Sequence, residues 1–314
     1  MRKQISILIP AYNEMASLAQ TVEDIKAVLD EHGIDYNFVI VDDGSKDMTW
    51  MIISAMAEKD KRIKGIKLSR NFGKEGAMFA GLSHVDADCC VVMDSDGQHP
   101  STLLPEMYRK WKDDGCDIVE AVKKRRGKET LVKRLFAKLF YKILTAVTGI
   151  DMNNASDFKL LDAKVIKALL SMPESQTFFR AMSGWTGFTT ERVYFDVEER
   201  HGSSSKWSSR ALVKFALNAI AAYSSFPMQA VTIFGVVFFI FSIVLIIQTL
   251  VNKLSGHAVE GFTTVIILLL ILGSIIMFSL GVIGFYISRI YNEIKGRPKY
   301  LIDKTIGFKQ RGER

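Results

Sequence analysis

The stretch Cys89-Cys-Val-Val-Met-Asp-Ser-Asp-Gly-Gln-His-Pro100 runs from an apolar segment into two carboxylates two residues apart, on a turn marked by Gly97 and Pro100. Five consecutive apolar residues, Cys89–Met93, bounded by turn residues read as a buried strand, so Asp94 and Asp96 stand at a strand end. Two carboxylates so placed present oxygens to one hard divalent cation, Mg²⁺ or Mn²⁺, and leave the rest of its coordination to substrate phosphates. Taken alone, Asp-Ser-Asp is equally a solvated turn. His99 reads as a turn residue before Pro100.

Upstream the same grammar repeats. Ile5–Ile9 is followed by Pro10-Ala-Tyr-Asn-Glu14, and Phe38–Val41 by Asp42-Asp-Gly-Ser45. Further strand-like runs lie at Ile63–Leu68 and Ile118–Ala121. Helical stretches lie between them at Leu18–Leu29, Thr49–Ala57, Gly76–Leu82 and Leu103–Trp111. Alternation of this kind predicts an α/β fold with a largely parallel sheet, which binds ligands outside the carboxyl ends of its strands. All three motifs fall at such ends.

Farther along, no Asp, Glu, Lys or Arg occurs from Phe215 through Asn252 or from Gly261 through Ser288. Each run exceeds the roughly 20 apolar residues that cross a hydrocarbon core of about 30 Å, predicting transmembrane helices at about Met228–Leu250 and Phe262–Ile287. Ile5–Ile9 is too short for the core of an export signal. After Ser288 eight cations face three anions, a net +5. The positive-inside rule puts that tail in the cytoplasm, and two spans then put the N-terminal part there too. The expected organisation is a domain over residues 1–225, a two-helix anchor over 226–288 and a basic tail over 289–314, in a multi-pass plasma-membrane protein.

The chain has 314 residues, of which 48% are hydrophobic, and a formal charge of +7; disorder is excluded as its main state. The charge is uneven. Lys123–Lys142 holds nine cations and one anion, a net +8, with Leu131, Leu135, Leu139, Leu144 and Val147 at helical spacing. This predicts an amphipathic helix on anionic lipid. The block contains no recognisable nucleic-acid module and adjoins a membrane anchor, so lipid is the expected anionic partner and no nucleic acid is. Cys89, Cys90 and Cys116 form no Cys-x-x-Cys pair, which excludes a disulfide framework and a zinc site of that type.

Pro-Ala-Tyr-Asn-Glu, Val41-Asp-Asp-Gly-Ser and Asp-x-Asp together resemble glycosyltransferase family 2, whose catalytic domain has the GT-A (Rossmann-like) fold. Asn71-Phe-Gly-Lys-Glu75, Ser156-Asp-Phe-Lys-Leu-Leu161, Phe179-Arg-Ala-Met-Ser-Gly-Trp-Thr-Gly187 and Arg200…Ser205-Lys-Trp207, ahead of two spans, look like the polyprenyl-phosphate glycosyltransferases, near the bactoprenol glucosyltransferases and farther from dolichyl-phosphate mannose synthase. The resemblance implies inverting, metal-dependent transfer of one sugar from a nucleotide sugar, UDP-glucose or UDP-N-acetylglucosamine before GDP-mannose, to undecaprenyl phosphate, and a tetrameric homo-oligomer. It places Pro10, Tyr12, Glu14, Asp43 and Asp94 at the nucleotide, and Asp94, Asp96 and Gln98 at the metal and diphosphate. Lys123, Lys133, Arg200, Ser205 and Lys206 fall at phosphates, and Asp157 matches a carboxylate near the acceptor. Asp157, Asp96 and Arg200 are thus the expected catalytic residues. The family often reads Arg-x-x-Gly-x-Ser-Lys, whereas here Ser203 stands at the glycine. A phosphate monoester is largely dianionic at neutral pH, so the acceptor hardly needs a strong base, and an orienting role for Asp157 stands beside the base role the resemblance implies. A processive polysaccharide synthase is disfavoured, because Gln176-Thr-Phe-Phe-Arg180 departs from the Gln-x-x-Arg-Trp spacing.

Overall fold

The computed structural model describes residues 3–123, 156–174, 177–195, 226–255 and 261–308. Eight strands form one sheet: β1 (Gln4–Ala11), β2 (Asp35–Asp42), β3 (Ile63–Leu68), β4 (Cys89–Val92), β5 (Ile118–Lys123), β6 (Lys159–Asp162), β7 (Thr190–Phe195) and β8 (Ile302–Ile306). Their order is β7-β5-β6-β4-β1-β2-β3-β8. The central four, β3, β2, β1 and β4, are parallel; β6 and β8 run antiparallel to their neighbours. The expected parallel core is present, with β6 to β8 added on its two flanks.

The central strands are apolar because helices cover both faces. On one side Ile5, Ile7 and Ile9 of β1 join a core with α1 (Leu18–Glu31), α2 (Thr49–Lys59) and α4 (Leu104–Lys112). Leu8, with Val39 and Val41 of β2, faces the other way onto α3 (Lys74–Leu82), α5 (Ala163–Ser171) and α6 (Phe179–Trp185). Successive residues of a strand point to opposite faces, so β1 divides its side chains between two cores. The result fixes β1, β2 and β4 side by side, with their carboxyl-terminal loops at one edge.

Two helices, α7 (Phe226–Leu254) and α8 (Phe262–Ile294), belong to a second unit, Trp207–Arg297. Within them Val231–Asn252 and Ile271–Ile294 are long and apolar enough to cross a membrane, and no part of either window is buried in protein. Apolar helices without a protein cover call for a nonpolar surrounding. The amphipathic segment expected over 131–147 lies outside the described residues.

The stretch after the second span, read from charge as a tail, contains a strand. Residues Pro298–Arg314 belong to the same unit as Met1–Lys206. β8 pairs antiparallel with β3, Gly65 opposite Ile306 and Lys67 opposite Lys304. Around it the Ser69 N–H donates to the Leu301 carbonyl at 2.9 Å, Lys299 Nζ donates to the Met172 carbonyl at 3.0 Å, and the Tyr300 and Ser83 hydroxyls are 2.8 Å apart. Hydrogen bonds hold this segment, together with Ile306, Tyr300 and Phe308, which pack partly buried against the two cores; three apolar residues scattered among charges do not read as a strand. Gly307 ends the strand at φ +80°, and a Cβ there would lie 2.6 Å from the Ile63 carbonyl oxygen. Gly33 has φ +60° with open space around it. Gly307→Ala is therefore expected to lower stability by about 1–3 kcal/mol and by more than Gly33→Ala. Thermal melts of the two purified variants check this, and equal shifts would show that β8 yields without cost.

Candidate active site

The loops after β1 and β2 are tied to each other. Asn13 adopts φ 56°, a left-handed conformation that asparagine tolerates. Its N–H donates to Ser45 Oγ at 2.9 Å and its Oδ1 accepts the Lys46 N–H at 2.9 Å. The Glu14 N–H donates to Thr49 Oγ1 at 3.0 Å, and its carboxylate accepts the Ser17 hydroxyl at 2.8 Å. Gly44, at φ +66°, lies so close to the Arg70 backbone that a Cβ would fall 2.5 Å from its carbonyl carbon. Pro10 is buried near the end of β1, and Tyr12 just beyond it has 41% of its surface exposed.

The adjacent acids of β2 divide their work. Asp43 accepts the N–H groups of Phe72 at 2.7 Å and Gly73 at 2.9 Å, one on each oxygen. Burial pushes its carboxyl up, and those two hydrogen bonds offset only part of the rise. Asp43 thus fixes the chain entering α3. Asp42 is fully buried; its Oδ1 accepts the Ser45 N–H at 2.9 Å, while Oδ2 has no hydrogen-bond partner among the described residues. Asp43, the acid expected at the nucleotide, stands at the strand end with 3% of its surface exposed, and Asp42 behind it is closed off.

The start of α3 carries Lys74 into the site. Its ammonium lies 2.6 Å from Asp94 Oδ1, just beyond β4, and 2.7 Å from Asp157 Oδ2, just before β6. Arg180 of α6 takes Asp157 in a two-pronged grip, Nε to Oδ1 at 2.7 Å and Nη2 to Oδ2 at 3.0 Å. Charges alternate along Asp94, Lys74, Asp157 and Arg180. Burial works against both acids, but Lys74 and Arg180 outweigh it at Asp157 and hold that carboxyl far below the usual range. At Asp94, Lys74 and His99 likewise outweigh burial and lower it. Burial opposes the Lys74 charge too, and the two carboxylates overcome it, so the amine stays protonated. His99 accepts the Asp94 N–H on Nδ1 at 3.0 Å, which puts its proton on Nε2, 3.8 Å from Asp94 Oδ2. Stacked on Phe158 with ring centroids 4.8 Å apart, it has a place in the site beyond the turn role read from sequence.

Asp96 accepts the Gln98 N–H at 3.1 Å within the turn after β4. Among the described residues no cluster of three His, Cys, Asp or Glu side chains is arranged to hold a metal. Asp94 and Asp96 nevertheless offer hard oxygens only, which fits Mg²⁺ or Mn²⁺ completed by phosphate oxygens. The fold brings Asp94 and Asp157 into one network and keeps Pro10, Tyr12, Glu14 and Asp43 at the neighbouring strand ends. Lys123 closes β5; Lys133, Arg200, Ser205 and Lys206 lie outside the described residues. Lys74, Glu75 and Arg180 escaped sequence reasoning, although Asn71-Phe-Gly-Lys-Glu75 and Phe179-Arg were in view as motifs.

A parallel sheet whose carboxyl edge gathers acids and matching cations is the frame of an enzyme acting on anionic, nucleotide-linked substrates. The model of the family described as Glycosyl transferase family 2 matches residues 6–170. The chain is 36% identical over 313 residues to the uncharacterized glycosyltransferase sll0501 of Synechocystis, covering 98% of this chain and 97% of that one. It is 33% identical over 307 residues to the bactoprenol glucosyl transferase of Shigella phage SfII, covering 96% and 98%. Among solved structures it is similar to glucosyl-3-phosphoglycerate synthase of Mycobacterium tuberculosis in complex with Mn²⁺, UDP and phosphoglyceric acid. That match has a TM-score of 0.52 at 20% identity and covers 70% of this chain and 76% of that one. The chain belongs to glycosyl transferase family 2 and is a nucleotide-sugar-dependent glycosyltransferase of GT-A-like fold.

Beside the charge network, Glu75 Oε2 accepts the Phe179 N–H at 2.8 Å. Burial, reinforced by the Asp157 charge, pushes its carboxyl from 4.5 to about 7. The folded state thus binds this proton more tightly than the unfolded one, so the contribution to stability is complete below pH 4.5 and is lost as pH rises through about 7. Glu75→Gln keeps an acceptor for Phe179 and removes the titration. Its melting temperature is expected to gain on wild type between pH 5 and pH 8, and parallel melting curves across that range would refute the assignment.

Proposed function

We propose that this enzyme transfers a single sugar, glucose or N-acetylglucosamine from its UDP derivative, to undecaprenyl phosphate with inversion at the anomeric carbon. The observation that carries the reading is the alternating network of Asp94, Lys74, Asp157 and Arg180 at the carboxyl edge of the sheet, in a chain that also holds two membrane-length helices. Supporting it, the similarity to the bactoprenol glucosyl transferase extends over 96% of this chain, the two helices included.

In this reading the nucleotide lies against Pro10, Tyr12, Glu14 and Asp43, whose hold on the Phe72 and Gly73 amides shapes the floor. Asp94 and Asp96, with Gln98, hold Mg²⁺ or Mn²⁺, which supplies charge neutralisation for the departing diphosphate. Support for that cofactor class comes from the synthase with Mn²⁺ and UDP. An acceptor phosphate attacks as an anion, so the demand on the protein is positioning and charge compensation. Asp157, gripped by three cationic hydrogen bonds, is a weak proton acceptor and a firm anchor for Lys74 and Arg180. Those cations suit phosphate or sugar oxygens, and Lys123, Lys133, Arg200, Ser205 and Lys206 add to them from their own segments. The pairing of β8 with β3 returns the chain to the side it left, which supports an even number of crossings with the sheet and the C-terminal segment both cytoplasmic. Anionic lipid is the partner of the 123–142 block, and a tetramer is the assembly the resemblance implies.

The test is transfer by the purified full-length protein to undecaprenyl phosphate from UDP-glucose, UDP-N-acetylglucosamine, UDP-galactose and GDP-mannose. One UDP-sugar is expected to give a lipid carrying one sugar, and Asp96→Ala to lower the rate by about 10²-fold or more. Product with several sugars, transfer from GDP-mannose alone, or no lipid product from any donor would overturn the proposal.

A further inference from the structure

Lys74 stands where a cation bridging two carboxylates would stand. Asp94 and Asp157 each aim one oxygen at its ammonium, at 2.6 and 2.7 Å. Carboxylates that converge on one point from two strand ends commonly share a divalent ion. Here a fixed monovalent charge fills that point. Two acids and two bases make Asp94, Lys74, Asp157 and Arg180 neutral as a set, so they offer a free divalent cation little attraction. An ammonium has three N–H groups. The carboxylates occupy two, and the third has no partner among the described residues while 39% of the side chain is exposed.

We infer that Lys74 is a positioning residue, a resident counter-ion that keeps Asp94 from taking up a divalent cation until a nucleoside diphosphate brings its own negative charge. The inference rests on the proposed metal role of Asp94, not on the identity of the acceptor. It gives the enzyme an order: metal and diphosphate enter together, and Lys74 holds Asp94 and Asp157 apart from a shared ion that would draw the metal toward the acceptor carboxylate. Without Lys74 the two acids face each other with Arg180 on Asp157 and His99 beside Asp94, and the point between them is left to a divalent ion.

Manganese binding to the purified full-length protein, read by electron paramagnetic resonance, tests this with no lipid present. Wild type is expected to bind Mn²⁺ at least about fivefold more tightly with UDP than without it, GDP serving as a parallel probe. Lys74→Met is expected to bind Mn²⁺ alone at least about fivefold more tightly than wild type and to lose most of the dependence on UDP. Lys74→Arg, which retains the charge, is expected to keep the wild-type dependence; a residue that merely ties two loops together would not produce this split. Equal Mn²⁺ affinity in wild type with and without either nucleotide overturns the inference without recourse to any variant. So does a Lys74→Met protein that melts as wild type does and binds Mn²⁺ alone no more tightly. A failed lipid-transfer assay alongside the expected manganese results would refute the acceptor and leave the role of Lys74 standing.

Discussion

A carboxylate with only 8% of its side chain exposed keeps its charge inside a protein if cations meet it, and Asp157 imposes that demand on the whole carboxyl edge of the sheet. Satisfying it draws together the start of α3, the turn after β4 and the face of α6, three elements from distant parts of the chain. The alternation continues away from the site. Lys159, buried on β6, lies 3.1 Å from Glu120 of β5 and donates to the Ser183 hydroxyl at 2.9 Å, and Arg192 of β7 approaches the same Glu120 at 3.5 Å. Here burial wins, and the Lys159 amine is lowered despite Glu120 beside it. The flank from β4 to β7 is organised by paired charge as much as by apolar packing.

This explains what the amino-acid sequence discloses and what it conceals. β1, β2, β4 and β5 read as apolar runs because both their faces are covered, and acids at their ends stand out against those runs. β6 is four residues long and begins with a buried lysine; β8 is held by hydrogen bonds to an edge and carries Asp303 and Lys304. Neither resembles a strand by hydrophobicity. The same asymmetry governs the site. Asp94 and Asp157, which the structure brings into one network, stand in motifs, whereas Lys74 meets Asp157 across 83 residues, a separation that leaves no local spacing to detect. That Asp43 reaches the Phe72 and Gly73 amides, 29 and 30 residues on, is likewise information that a strand pattern does not carry.

The network also bears on how the enzyme treats its substrates. A carboxylate saturated by Arg180 and Lys74 holds these cations in register, and a well-placed cation discriminates among anionic oxygens by geometry. A hydrophobic pocket could not make that distinction. Glu75, one residue from Lys74, has its carboxyl pushed up by burial and by the Asp157 charge, so it adds less negative charge beside the network than an exposed glutamate would.

The placement of β8 has a consequence for synthesis. The ribosome makes β3 early and its outer partner after both apolar helices, so β3 pairs with β2 on one side while its other edge waits for β8. An unpaired edge is a site for wrong pairing. A chain stalled or cut within the apolar helices therefore presents the outer edge of β3, where the finished molecule presents the charged strand β8.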